Sequence, residues 1–244
     1  MCGISGIYNY LNKPINSKSI IEKIVKIQHA RGPDDRGIWE SKCKKVCFGH
    51  NRLTIIDLSK NGKQPFISKD ENFVITFNGE IYNFKEIKKE LNAKNIFFKS
   101  NTDTEVILES YKYWGIDFIK RLRGMFAFAM WDLKKRKLIL ARDPFGIKPL
   151  YYVSHHNYFA FASEPQALIE SNFASRRPSI SACKEMLNKQ FISGRRSGFE
   201  EISRVLPGET LVVRSGEIVD TRYTAALSER FLQGGNLISL ESRL

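Results

Sequence analysis

Cysteine is scarce in this chain. Cys2, Cys43, Cys47 and Cys183 are the four among 244 residues, and their spacing forms no disulfide framework of the kind that staples small secreted domains. Cys43 and Cys47 lie four apart, but neither a second cysteine pair nor a His-x-x-x-His follows. Two ordinary thiols is the better reading, and no metal is expected. His155 and His156 are adjacent and would point to opposite faces of a strand, so they receive no metal role either. No apolar run reaches the ~18–20 residues of a membrane helix. The start of the chain also lacks the basic leader and apolar stretch of a secretory signal. The expectation is a cytoplasmic protein that makes no membrane contact. Acidic residues are in deficit, 26 against 39 Lys and Arg, for a net charge of +13. Such an excess can serve nucleic acid, but here the cations are scattered. KCKK at 42–45 and KKRK at 134–137 read as turns between strands. Solvated loops are the reading, and no nucleic-acid partner is expected.

What is present can fill a core. Hydrophobic residues are 42% and aromatics 12% of the chain, enough for one large domain or a domain with an appendage. Lys gives way to Arg along the chain, from 21 Lys and 7 Arg through residue 170 to 2 Lys and 9 Arg beyond it. Both parts stay basic, so the charge argument is unchanged.

Residues 3–10 read as a strand in which Gly3 and Gly6 permit close backbone approach. Residues 17–28 have helical apolar spacing, with a Ser as N-cap. The spacing predicts further helices over 83–92 and 103–114 and strands over 46–57 and 72–79. The latter ends in an Asn78-Gly79 turn, for which a type I′ hairpin turn is the plain reading. Three hairpins follow: MFAFAMWD with KLILARD, LYYVSHH with YFAFASE, and 208–223 around Ser215-Gly216. Many hairpins and few helices argue for α+β with antiparallel sheets. The last twenty residues show no evident core.

Cys2 is small enough that removal of Met1 is expected, which leaves a thiol and a free α-amine on one residue. An α-amine has a reference pKa of about 7.7–8 and can act as base for the thiol, whose thiolate is the nucleophile. Taken alone, a chance Cys at position 2 is the simpler reading. The surrounding motifs decide otherwise. MCGISGIY, RGPDD at 31–35, HNRLTIIDLS at 50–59, GKQPF at 62–66, FNGEIYN at 77–83, SNTDTEVIL at 100–108, RLRGMFAFAMWD at 121–132, ARDPFGIKPLYY at 141–152 and FASE at 161–164 occur in this order. Together they resemble the N-terminal glutaminase domain of asparagine synthetase B, of the class II glutamine amidotransferases. The resemblance runs over residues 2–223, with 224–244 left as a linker or the truncated start of a missing synthetase domain.

That resemblance implies a four-layer αββα sandwich of two antiparallel sheets, the N-terminal-nucleophile hydrolase fold. It implies that Cys2 attacks the carboxamide of glutamine, with the Asn78 amide and the Gly79 N–H as oxyanion hole. Arg52 would hold the substrate α-carboxylate and Asp103 its α-ammonium. Glu80 lies in the same segment, and main-chain groups of Leu53, Thr54, Ile55 and Ile56 line the site. Arg31 with Asp34, and Arg142 with Asp143, are read as structural ion pairs and turn formers. One departure is Ala30, where the family has His before the RGPD arginine; His29 sits one place earlier. Another is the absence of an SGGxDS pyrophosphate loop: Gly234-Gly235 is followed by Asn236. No cofactor is therefore expected in this chain, with ATP and magnesium belonging to the missing domain. Expected partners are glutamine and a separate synthetase chain, and a homodimer is allowed. The competing reading is a truncated remnant, or a non-catalytic subunit that binds such a chain.

Overall fold

The structure, a computed structural model, describes residues 1–10, 15–53 and 62–224. Strand β1 (Gly3–Asn9) is buried at all seven positions, because it runs through the interior of its sheet with both faces covered. Helix α1 (Ser17–Ile27) follows. Its cap is Asn16, whose side chain accepts from the Ser19 N–H; the expected serine is the first helical residue instead. Then come β2 (Asp35–Glu40), β3 (Val46–Arg52), β4 (Phe66–Ile67) and β5 (Phe73–Ile81). Helices α2 (Phe84–Asn92) and α3 (Asp103–Trp114) precede β6 (Gly124–Asp132), β7 (Lys137–Arg142), β8 (Tyr151–Ser154) and β9 (Tyr158–Ala162). Helices α4 (Pro165–Glu170) and α5 (Ile180–Lys189) lead to β10 (Ser203–Arg204), β11 (Glu209–Arg214) and β12 (Glu217–Tyr223).

Two six-stranded sheets result, ordered β10-β8-β9-β1-β3-β2 and β12-β11-β7-β6-β5-β4, with antiparallel pairing throughout. Strand alternation sorts the apolar residues into three seams. In β6, Phe126, Phe128 and Met130 face α2 and α3, where Leu91, Val106 and Tyr111 meet them. The intervening Ala127, Ala129 and Trp131 face the other sheet and pack with Ile4, Phe48 and Phe161. A third seam joins Ile21, Ile24 and Val25 of α1 to Ile7 and Ala160. Helices, sheet, sheet and helices make the expected αββα sandwich. Gly6 shows how tightly the seam closes: a Cβ there would sit 2.4 Å from the Phe161 ring and 2.7 Å from that of Phe48.

Several local expectations change. Asn78-Gly79 is no turn. Strand β5 continues to Ile81 and pairs residue by residue with β6, Asn78 opposite Ala127 and Gly79 opposite Phe126. Nine paired residues outweigh the local turn preference of the dipeptide. Ser215-Gly216 does turn the β11–β12 hairpin, with φ of 47° and 89°, the sign pattern of a type I′ turn. Strand β3 ends at Arg52, and 54–57 lie outside the described residues. His155 and His156 sit in the β8–β9 turn with ring centroids 3.9 Å apart, rather than on opposite strand faces. Helices α4 and α5 were not anticipated. The first has six residues, too few for a periodic signal although Ala167, Leu168 and Ile169 are buried; the second buries Ala182 alone, so it carries no inward apolar stripe.

Candidate active site

The β1–β3 register sets Gly3 opposite Asn51 and Ile4 opposite His50, which brings Cys2 alongside Arg52. Cys2 shares a strand face with Ile4, so its thiol looks toward the second sheet. The Leu53 N–H donates to Sγ at 3.4 Å. The Cys2 carbonyl accepts from Arg31 Nε at 3.1 Å, and the same guanidinium pairs with Glu164 at 3.2 Å. Arg31 thus ion-pairs with the FASE segment instead of Asp34, and clamps the backbone of Cys2. Burial pushes the Cys2 thiol up; the Leu53 N–H, the chain amino terminus, Arg52 and Lys148 pull it down.

The facing wall is β5. Its N–H groups alternate between two edges. That of Tyr82 bonds the Arg123 carbonyl on the β6 side. The opposite edge is capped by side chains: Gln64 Oε1 accepts from Phe77 N–H at 2.7 Å, and Asp103 Oδ2 from Ile81 N–H at 3.0 Å. Alternation directs the Gly79 N–H to this same edge, between the two caps. A Cβ on Gly79 would lie 2.2 Å from the Met125 carbonyl oxygen, so glycine is required by the close approach of β6, not by a turn. Asn78 is 1% exposed, and its Nδ2 is buried without a hydrogen-bond partner among the described residues. An orphaned buried donor is costly unless something arrives to use it.

Asp103 opens α3, with Thr102 as N-cap. It is buried, and burial lifts its pKa from 3.8 to about 6, with Glu80 adding to the rise and the N–H groups of Ile81 and Thr104 opposing it. Cys2, Arg52, Leu53, Asn78, Glu80 and Asp103 border one cavity of about 160 Å³, as does Gly79. Thr54, Ile55 and Ile56 lie outside the described residues. Among the described residues, no three His, Cys, Asp or Glu side chains cluster to hold a metal. No helix among them is long and apolar enough to cross a membrane.

Several bordering residues escaped the sequence reading, among them His50, Gln64 and Lys148. His50 Nε2 lies 3.0 Å from the Phe77 carbonyl. Carbonyls only accept, so Nε2 carries the proton, and burial holds the ring neutral with its pKa lowered to about 4. All three fall inside motifs already singled out, which is the only signal they carried. Arg142 and Asp143 are turn formers, as expected, but they bond backbone. Arg142 donates to the carbonyls of Gly146, Lys148 and Val205.

A thiol at the second residue, presented by one sheet of an antiparallel sandwich to a donor-lined strand of the other, is the layout of N-terminal-nucleophile hydrolases. Residues 1–224 match the glutamine amidotransferase domain family, and the chain belongs to it. Glutamine-hydrolyzing asparagine synthetase 1 of Bacillus subtilis is 37% identical over 233 residues, which cover 93% of this chain and 36% of that protein. Amidase chry2 of Gibberella zeae is 36% identical over 227 residues, covering 89% of this chain and 33% of its own. Among solved structures, the fold is similar to glutamine phosphoribosylpyrophosphate amidotransferase from B. subtilis, with TM-score 0.66 at 20% identity over 93% of this chain and 50% of that one. The chain spans about a third of the length of the curated relatives it matches (36% and 33%).

Proposed function

We propose that this chain hydrolyses glutamine to glutamate and ammonia, with Cys2 as nucleophile and its own α-amine as base once Met1 is removed. The observation that carries the reading is the unpartnered Asn78 Nδ2 on the same cavity as the Cys2 thiol. In the reading, the thiol proton passes to the α-amine as sulfur bonds the carboxamide carbon. The oxyanion so formed takes hydrogen bonds from Asn78 Nδ2 and the Gly79 N–H. The α-ammonium returns its proton to the departing nitrogen, ammonia leaves, and a thioester remains. Water, deprotonated by the α-amine, then attacks the thioester; glutamate leaves and the thiol is restored. Arg52 holds the substrate α-carboxylate, in the bidentate manner open to a guanidinium; Asp103, helped by Glu80, holds the α-ammonium.

The ammonia serves a synthetase part that amidates a carboxylate, and ATP and magnesium belong to that part. The names of the relatives and the extra length they carry support this. Cys2→Ala is the test of the glutaminase reading. It should abolish glutamate release while leaving the circular dichroism spectrum unchanged, because a small side chain replaces a small one. Turnover at the wild-type rate in that variant would remove Cys2 from the mechanism.

A further inference from the structure

We propose that Lys148 is a further residue of this site, whose ammonium balances the negative charge formed on the Cys2 sulfur when the thiol ionises. The proposal rests on the reading of Cys2 as nucleophile. Its basis is a scaffold built to hold one side chain. Asp143 is fully buried and accepts from the N–H groups of Phe126, Phe145, Ile147 and Lys148 at 2.9–3.2 Å. Arg142 Nε takes the Lys148 carbonyl at 2.7 Å. Both backbone groups of Lys148 are therefore fixed, and they are fixed to Phe126, the residue opposite Gly79.

Lys148 borders the cavity that holds Cys2, and the residue is 7% exposed. Among the described residues the ammonium has no carboxylate and no carbonyl partner. A cation without a partner on this cavity is useful where an opposite charge appears during the reaction. The other ionisable groups around Cys2 are otherwise engaged. Arg31 is held by Glu164 and the Cys2 carbonyl. His50 is neutral. Glu80 and Asp103 are acidic and stand on the facing wall. Arg52, in the proposed reading, is neutralised by the substrate carboxylate on binding. Apart from the chain amino terminus, which serves as the base, Lys148 is then the cation left for the thiolate. It keeps its proton throughout; the thiol proton goes to the α-amine. The lowering influence of Lys148 on the thiol agrees with this geometry.

The thiol titration itself is run without glutamine, where Arg52 also acts on the thiol, so loss of Lys148 is read as a shift against that background. The chain beginning at Cys2 is alkylated with iodoacetamide across a pH series, and each cysteine peptide is quantified by mass spectrometry. Lys148→Met and Lys148→Gln should move the midpoint of Cys2 alkylation up by about one pH unit, slowing the reaction about tenfold at neutral pH. Lys148→Arg should keep the wild-type midpoint. Cys43, which is exposed, is the internal reference and should not move. Should the Met variant fail to fold, the Gln and Arg variants decide. A Cys2 midpoint unmoved by loss of the charge overturns the proposal. So does an equal shift at Cys43, or a rise in KM for glutamine with the Cys2 midpoint unmoved, which would assign Lys148 to the substrate carboxylate. A chain that shows the expected shift yet releases no glutamate would keep Lys148 as partner of Cys2 and reject the glutaminase reading.

Discussion

Asp103→Asn keeps the outline of the side chain and removes its charge. The folded protein holds this carboxyl at a pKa of about 6 against a reference of 3.8. A shift of about two units corresponds to about 3 kcal/mol withheld from the ionised fold. The sign follows from the raised value. The folded state binds the proton more tightly than the unfolded chain, so the penalty is absent below about pH 4, grows between about pH 4 and 6, and is complete above. The Asn variant carries no such penalty, and its carboxamide oxygen can still accept the Ile81 N–H. Its melting temperature should match wild type near pH 4 and exceed it at pH 8. For a chain of this size about 3 kcal/mol corresponds to roughly 6–12 °C. Function should move the other way. In the proposed reading the α-ammonium of glutamine needs the carboxylate, so wild-type kcat/KM should fall as pH drops through about 6, while the variant should be weak and flat across that window. Thermal melts over a pH series, with and without glutamine, and glutamate release measure both sides. A variant no more stable than wild type at pH 8 would refute the burial argument. A variant stabilised by glutamine as strongly as wild type would remove Asp103 from the binding site.

Arg52→Ala should lower kcat/KM about ten- to a hundredfold, mainly through KM, since a hydrogen bond to a charged group contributes roughly 1.5–3 kcal/mol; steady-state kinetics check it. Asn78→Ala should lower kcat by about a hundred- to a thousandfold with little change in glutamine binding, because the oxyanion exists only after attack. Asn78→Asp should be worse still, and a nearly normal Asp variant would show that the residue only shapes the strand.

The candidate site residues were named through the ordered motifs, since Cys2 taken alone reads as chance. The four-layer arrangement came with the same resemblance, while the antiparallel sheets were legible in runs such as 124–132, where Phe126, Phe128 and Met130 alternate with Ala127, Ala129 and Trp131. Two of the misreadings share one cause, a partner distant in sequence. Asn78-Gly79 looks like a turn until β6 pairs across it. Arg31 finds Glu164, 133 residues away, which no local pattern could announce. Gln64 supplies its side chain where β4 supplies no backbone, capping the Phe77 N–H. Helix α5 went unseen because its large apolar residues face outward, with Ile180 61% and Leu187 84% exposed, so no inward stripe marks it.

In the proposed reading the nucleophile and its oxyanion donors stand on different sheets, so the distance between them is set by the seam that joins the sheets. Ala127 is fully buried in that seam and lies opposite Asn78. Ala127→Val adds two methyl groups where the packing has no spare volume, at a cost of about 1–3 kcal/mol. The added volume acts beneath the residue that must meet the oxyanion. A displacement of about 1 Å can cost about a hundredfold in rate. Ile139→Val makes the complementary comparison. Ile139 is equally buried, but in the outer seam against the helices, and losing one methyl group there costs about 0.5–1.5 kcal/mol. Both variants should melt below wild type. Only Ala127→Val should lose kcat well beyond its loss of stability, when both are assayed at least ten degrees below their melting points. Equal kcat in the two would mean that β5 keeps its place relative to Cys2 without help from the seam. The bonds that cross between the sheets at this end, His50 to the Phe77 carbonyl and Thr76 to the Gly49 carbonyl at 3.1 Å, would then be what sets the catalytic distance.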